Sequence, residues 1–258
     1  MPPPPELLSR HCRRWRNALV IPYSAMPSSS ASSSITAALE AKYERLEVLK
    51  HRALAPLHTK LRDRTTSHAE FKFYADRLMR ILAEEGLASC ASEHVTVTTP
   101  TGDEYAGPVF ADRICAVSVI RAGDSLLQAV LDCDPRVAVG KILIQRDEST
   151  DDKRPVFYYA KLPPKMSSYD HVLVVDPMLG TGGSITTAIK KLVEVGVEEH
   201  KITFLNVVSC PEGIERLMQE FPDVRVMTAA LDPCMNDDKY ITPGLGDYGD
   251  RYYNTVHH

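Results

Sequence analysis

The sequence has no run of about eighteen apolar residues, which excludes a membrane-spanning helix. It has no CxxC pair and no zinc-like ligand spacing. Its six cysteines, at 12, 90, 115, 133, 210 and 234, read as reduced, mostly buried thiols of an intracellular protein. It also lacks an excess of either charge sign. Thirty Lys and Arg stand against thirty-four Asp and Glu, a net charge of −4 with pI near 6.1. Nothing in that balance attracts nucleic acid or an anionic membrane to the whole chain, so any phosphate site must be local. The two common nucleotide fingerprints, GxGxxG and GxxxxGK[ST], are absent from the Gly-rich turn of this chain, which disfavours a dinucleotide site and a P-loop.

What is present supports a core of ordinary size or slightly more, with 258 residues of which 44% are hydrophobic and 25% charged. Residues 1–35 differ from the rest. Pro2 to Pro5 favour an extended polyproline segment, Ser28 to Ser34 are low complexity, and neither can build a core. Disorder is expected there, with the globular domain over 36–258. Arg10, Arg13, Arg14 and Arg16 around Trp15, with no acid between Leu7 and Leu39, suit an organelle transit peptide or an unstructured tail equally. A cytoplasmic location is otherwise expected.

The globular part alternates strands and helices. Ser67 and Glu70 form a capping box ahead of a helix over about 68–85, with Gly86 as its stop. Val95 to Phe110 alternate around a TGDE turn, a β-hairpin pattern. Buried-strand patterns follow at 114–120, 137–144, 172–175, 201–208 and 224–230, and helices at about 124–132, after residue 184, and at about 211–220. That alternation predicts an α/β fold, a parallel sheet covered on both faces with ligands at the carboxyl ends of its strands.

Four stretches at such strand ends carry chemistry. In Asp176, Pro177, Met178, Leu179, Gly180, Thr181, Gly182, Gly183 and Ser184, an acid closes a strand, Thr181 enters the turn, two glycines remove bulk, and Ser184 opens a helix. Backbone N–H groups there can surround an anion. An acid before TGG suits a sugar phosphate, with Asp176 facing ribose hydroxyls; the bland alternative is a tight βα packing turn. Arg121, with Ala122 and Gly123, places a planar cation suited to pyrophosphate at the end of strand 114–120, although such an arginine can equally pair with a surface acid. Gln145 to Glu148 follow another strand, and Arg146 there can swing over a polyanion as a lid or merely be solvated. From Tyr240 to Arg251, three glycines and a proline preclude a regular helix and expose main-chain groups that can read a flat heterocycle. Ile241, Gly246, Asp247 and Tyr248 are the candidates, with Tyr240 and Tyr248 available to cover a ring.

In order and spacing, VIRAG at 119–123, QRDE at 145–148, VVDPMLGTGGS at 174–184 and YITPGLGDYGDR at 240–251 resemble the uracil phosphoribosyltransferase family. Residues 61–87 and 157–163 are similar too, so the likeness covers about 45–255. The cradle alone indicates the wider type I phosphoribosyltransferase group; the DP after the strand and PGLGDYGD point to the uracil branch.

The resemblance implies the type I phosphoribosyltransferase fold, with a small hood over the active site and a projecting β-hairpin. It implies conversion of uracil and 5-phosphoribosyl 1-pyrophosphate (PRPP) to UMP and pyrophosphate. It assigns Arg121 and Arg146 to the pyrophosphate-bearing sugar and Asp176 to Ser184 to its 5-phosphate. Uracil falls to Ile241, Gly246, Asp247 and Tyr248, with Asp247 also touching the sugar phosphate or its hydrated metal. Mg²⁺ is expected to arrive on PRPP, with no dedicated metal ligands. A homodimer or homotetramer and a GTP effector are further expectations. Departures from the family pattern are Gly180 where Ala is usual and a segment from Arg146 to Pro163 about two residues long in excess, which weakens the lid assignment. A phosphoribosyltransferase for another base, and a relative that binds pyrimidine nucleotides without turnover, are the alternatives.

Overall fold

A computed structural model describes residues 30–110, 113–146, 155–255. In chain order the first part comprises α1 (Ser30–Lys42), β1 (Leu46–Val48), α2 (Leu54–Arg62), α3 (His68–Ala88), β2 (Ser92–Thr98), β3 (Glu104–Phe110), β4 (Ile114–Ile120) and α4 (Gly123–Cys133). Then follow β5 (Ala138–Arg146), β6 (Pro155–Lys161), β7 (His171–Val175), β8 (Met178–Leu179), α5 (Gly183–Glu194) and β9 (Ile202–Asn206). The chain closes with β10 (Val208–Ser209), α6 (Pro211–Glu220), β11 (Arg225–Thr228), β12 (Cys234–Met235), β13 (Ile241–Thr242) and α7 (Tyr248–Tyr253).

Seven strands form the central sheet in the order β1-β11-β9-β7-β4-β5-β6. All neighbours run parallel except β6, which returns antiparallel on β5 at one edge. The sheet is therefore mostly, not wholly, parallel. Its central strands are apolar on both faces because both are covered. In β7, Leu173 and Val175 pack toward the α2, α3, α4 and α7 side, while Val172 and Val174 pack toward the α1, α5 and α6 side. The β2–β3 hairpin pairs antiparallel in full register from Ser92–Phe110 to Thr98–Glu104 and stands out from this body with mostly exposed side chains.

The structure differs from the sequence reading at three places, and at the first two the physical cause is visible. Helix α3 runs through Gly86 to Ala88: a Cβ at Gly86 would lie 2.5 Å from the Leu205 side chain, so this glycine admits close packing of α3 on β9 and does not stop the helix. Helix α7 forms inside the segment expected to be irregular, because Asp247 caps it, accepting from the Asp250 N–H at 2.9 Å. Helix α1 starts at Ser30, five residues before the expected domain boundary, and residues 1–29 lie outside the described residues. Of the described cysteines, 90, 115 and 210 are buried, Cys133 is partly buried and Cys234 is exposed. No helix among the described residues is long and apolar enough to cross a membrane.

Candidate active site

At the carboxyl ends of β4, β5 and β7 lies a cleft of about 740 Å³. Arg121, Gln145, Asp176, the turn from Met178 to Ser184, Ile241 and Gly246 to Tyr248 all line it. Arg121, Gln145 and Asp176 meet there because the strands they follow end at one edge of the sheet, and the C-terminal segment from Ile241 joins them from outside it.

The turn after β7 is built by close backbone contact. Gly182 takes a left-handed conformation, φ +75°, and is the N-cap of α5, so the helix opens at Gly183, one residue before Ser184. No side chain caps that helix and no acid occupies its first turn, leaving its positive end toward the cleft. Thr181 Oγ1 accepts from the Gly183 N–H at 3.4 Å, and Thr186 N–H donates to the Gly182 carbonyl at 3.0 Å. From behind, α6 supports the turn: a side chain at Gly213 would collide with the Gly180 carbonyl. Cys210 lies beneath, its thiol donating to the carbonyls of Leu179 and Gly180, with burial pushing its pKa up to about 12. It is therefore a neutral strut rather than a nucleophile.

Arg121 is half exposed and held against α7. Its guanidinium donates to Asp250 Oδ1 at 2.7 Å and to Thr255 Oγ1 at 3.0 Å, and stacks 5.6 Å from the Tyr253 ring centre. A Cβ at Gly249 would stand 3.2 Å from that guanidinium, so the glycine makes room for it. An exposed pair of this kind contributes little, about 0–1 kcal/mol, so a diphosphate offering two acceptors can draw the fork away from it. The acid partner on α7, Asp250, was not among the sequence candidates, although the surface-acid alternative for Arg121 anticipated such a contact.

The structure separates the remaining candidates. Pro177 is buried, and its carbonyl accepts from the N–H groups of Val207 and Val208, so it anchors the strand end and does not face the cleft. The Tyr248 side chain is 1% exposed, packed edge-on to Phe71 and stacked on Tyr252, with its hydroxyl between Ser125 and Met79. It cannot cover a ring; what it offers the cleft is backbone. Tyr240 is 50% exposed at the rim and can. Arg146 ends β5 beside Gln145, and residues 147–154, on which the lid assignment falls, lie outside the described residues.

The base-side loop is anchored from α2. Arg62 makes two 2.7 Å bonds to Asp232 and a third, at 2.9 Å, to the Gly244 carbonyl, while the Gly244 N–H donates to Asp232 at 2.9 Å. Gly244 and Gly246 have φ of +60° and +80°, conformations that favour glycine. The loop is thus clamped at Gly244, just before Gly246 and Asp247 enter the cleft. Arg62 was not a sequence candidate, because nothing in LRDR marks which of its charges turns inward.

A family model of uracil phosphoribosyltransferase matches residues 48–255. The uracil phosphoribosyltransferase of Dictyostelium discoideum is 46% identical over 213 residues, 82% of this chain and 97% of that protein. Uracil phosphoribosyltransferase 1 of Schizosaccharomyces pombe is 45% identical over 78% of this chain and 91% of its own. Among solved structures, the AQ2163 protein of Aquifex aeolicus superposes with a TM-score of 0.73 at 28% identity, covering 83% of this chain and all of that one. With the cradle, the strand-end arginine and the clamped loop opening on one cleft, the chain belongs to the uracil phosphoribosyltransferase family.

Proposed function

We propose that this cleft converts uracil and PRPP to UMP and pyrophosphate through the residues placed above. The observation that carries the reading is the convergence of Asp176, Arg121 and Asp247 on one cavity large enough for both substrates. The amides at the start of α5, with Thr181, hold the 5-phosphate. Asp176 faces the ribose hydroxyls, fixes the ring and favours positive charge on the sugar as the bond to pyrophosphate lengthens toward an oxocarbenium-like transition state. Arg121 leaves Asp250 and neutralises the departing diphosphate, aided by Arg146. The main chain at Ile241 and Gly246 to Tyr248 presents uracil so that N1 attacks from the opposite face, a positioning effect. No residue is assigned as a general base.

Among the described residues no group of three or more His, Cys, Asp or Glu is arranged to hold a metal. Asp176 and Asp247 at the cleft fit an ion that keeps its waters and phosphate ligands, as Mg²⁺ does, and Mg²⁺ arriving with PRPP supplies further neutralisation of the leaving group. Assembly into a dimer or tetramer belongs to the same proposal, supported by exposed Val97, Tyr105, Val109 and Phe110 on the hairpin; activation by GTP and a cytoplasmic location are carried with it as the family expectation. The test is to mix purified protein with uracil, PRPP and Mg²⁺ and follow UMP, with cytosine and hypoxanthine as controls. UMP from uracil alone is expected; product from hypoxanthine, or UMP binding without turnover, overturns the reading.

A further inference from the structure

The cleft takes a substrate with phosphate at both ends, yet it is short of positive charge. Among the described residues that line it, the cations are Arg121 and Lys239 and the acids are Asp176, Asp238 and Asp247. Arg121 serves the diphosphate in the reading above. The turn that receives the 5-phosphate, residues 176–184, contains no Lys or Arg. Arg216, another cation near that turn, reaches the Thr181 carbonyl at 3.5 Å from the α6 side and is outside the cleft lining. We infer that Lys239, in the connection between β12 and β13, is a further binding residue of this site, its ammonium meeting the 5-phosphate that PRPP and UMP share; the inference rests on the transferase reading.

A short hairpin brings Lys239 to the cradle. Strand β12 pairs antiparallel with β13, Cys234 with Thr242 and Met235 with Ile241, and residues 236–240 close the turn. A Cβ at Gly180 would meet the Met235 sulfur at 3.5 Å, the Ile241 side chain at 3.8 Å and the Lys239 carbonyl at 3.9 Å, so the hairpin lies against the residue just before Thr181. Asn236 fixes the tip. Its N–H donates to the Tyr240 carbonyl at 2.8 Å, its carbonyl accepts from the Lys239 N–H at 3.0 Å, and its Oδ1 accepts from the Tyr240 N–H at 2.9 Å. None of these bonds uses the Lys239 side chain. That side chain is exposed and forms no ion pair among the described residues, Asp237 and Asp238 included. A compact ammonium on a flexible stem suits a phosphate that is already oriented by backbone N–H groups.

The Lys239 backbone is left-handed, with φ +68°. A Cβ makes that conformation costly, and glycine adopts it freely. Stability of the tip therefore favours glycine at this position, whereas phosphate binding favours lysine. That opposition separates a binding role from a structural one.

Lys239→Gly and Lys239→Arg test the role. In Lys239→Gly the urea midpoint is expected to hold or rise, while the Kd for UMP, by calorimetry, and the KM for PRPP each rise about tenfold, the worth of one charged hydrogen bond. The KM for uracil should change by less than about twofold. Affinity of the parent for UMP should also fall more steeply with added salt than that of the glycine variant, which lacks the charge contact. Lys239→Arg keeps the cation and should bind UMP nearly as the parent does. A lower urea midpoint with equal rises in both Michaelis constants marks a structural residue and overturns the proposal. Weaker inhibition by pyrophosphate with UMP affinity intact moves the lysine to the diphosphate and overturns it too. Turnover by the parent, with UMP affinity indifferent to Lys239→Gly, counts against Lys239 alone. A parent that neither binds nor forms UMP overturns the transferase reading, and the role of the lysine with it.

Discussion

Gly180 and Gly182 stand two residues apart in one turn under different constraints. A Cβ at Gly180 meets nothing nearer than the Met235 sulfur, at 3.5 Å, so the alanine usual in the family fits here without displacement. Gly180→Ala is expected to keep full activity and to raise stability by about 0.4–1 kcal/mol, through the less flexible unfolded chain, as a higher urea midpoint. Gly182 has φ +75°, and its Cβ would press on the Gly213 carbonyl at 3.0 Å. Gly182→Ala is expected to destabilise by about 1–2 kcal/mol and to raise the KM for PRPP more than that for uracil, since the strained turn is the one that holds phosphate. The same comparison of Michaelis constants with equal effects on both substrates would contradict a phosphate role. Asp176 makes a different demand: Asp176→Asn keeps shape and removes charge, so the parent spectrum and melting behaviour should persist while UMP formation falls at least a hundredfold. Near-normal turnover in that variant contradicts stabilisation of positive charge on the ribose.

At the scale of elements, α2 and the loop it clamps matter most. Asp232 is 6% exposed on its side chain, and Arg62 supplies both of its short side-chain bonds. Arg62→Met strands that carboxylate, with a cost of about 3–5 kcal/mol. Arg62→Lys keeps a charge but loses the fork, and is expected to fold, with a KM for uracil raised several-fold more than that for PRPP in initial-rate assays. Neither α2 nor this clamp was legible in the sequence, since a two-pronged ion pair between residues 62 and 232 leaves no local pattern. The strands β4, β5, β7, β9 and β11, the hairpin and the cradle were legible, because burial on two faces forces continuous apolar runs and a phosphate turn needs its glycines close together. Tyr248 was misplaced for a related reason: a tyrosine beside two glycines resembles a loop residue until Phe71 and Tyr252 are seen to enclose it. Alternation of strands with helices likewise gave no sign that β6 returns antiparallel, because an edge strand's direction is set by the short connection that precedes it.

Over the whole molecule, the buried imidazole of His58 on α2 gives folding a pH dependence of defined sign. Burial first, and the Arg62 charge next, hold the His58 pKa down to about 4, against 6.5 for an ordinary histidine. The unfolded chain therefore takes up a proton near pH 6.5 that the folded chain refuses until about pH 4. Stability is complete above the unfolded value and declines as pH falls through the window between the two. Carboxylates held low, such as Glu70 bonded by Ser67 and Asp170 bonded by Arg113, lose their contributions only below about pH 4.5. From pH 7.5 to 5.5 the His58 contribution can thus be read apart from theirs. One unit below 6.5 corresponds to about 1.4 kcal/mol, and urea unfolding at the two pH values should show a loss of that order. In His58→Leu the two midpoints should converge, because leucine fills the buried volume without a proton to gain. A parent protein equally stable at both values, or a leucine variant that loses as much as the parent, contradicts the buried neutral imidazole of His58.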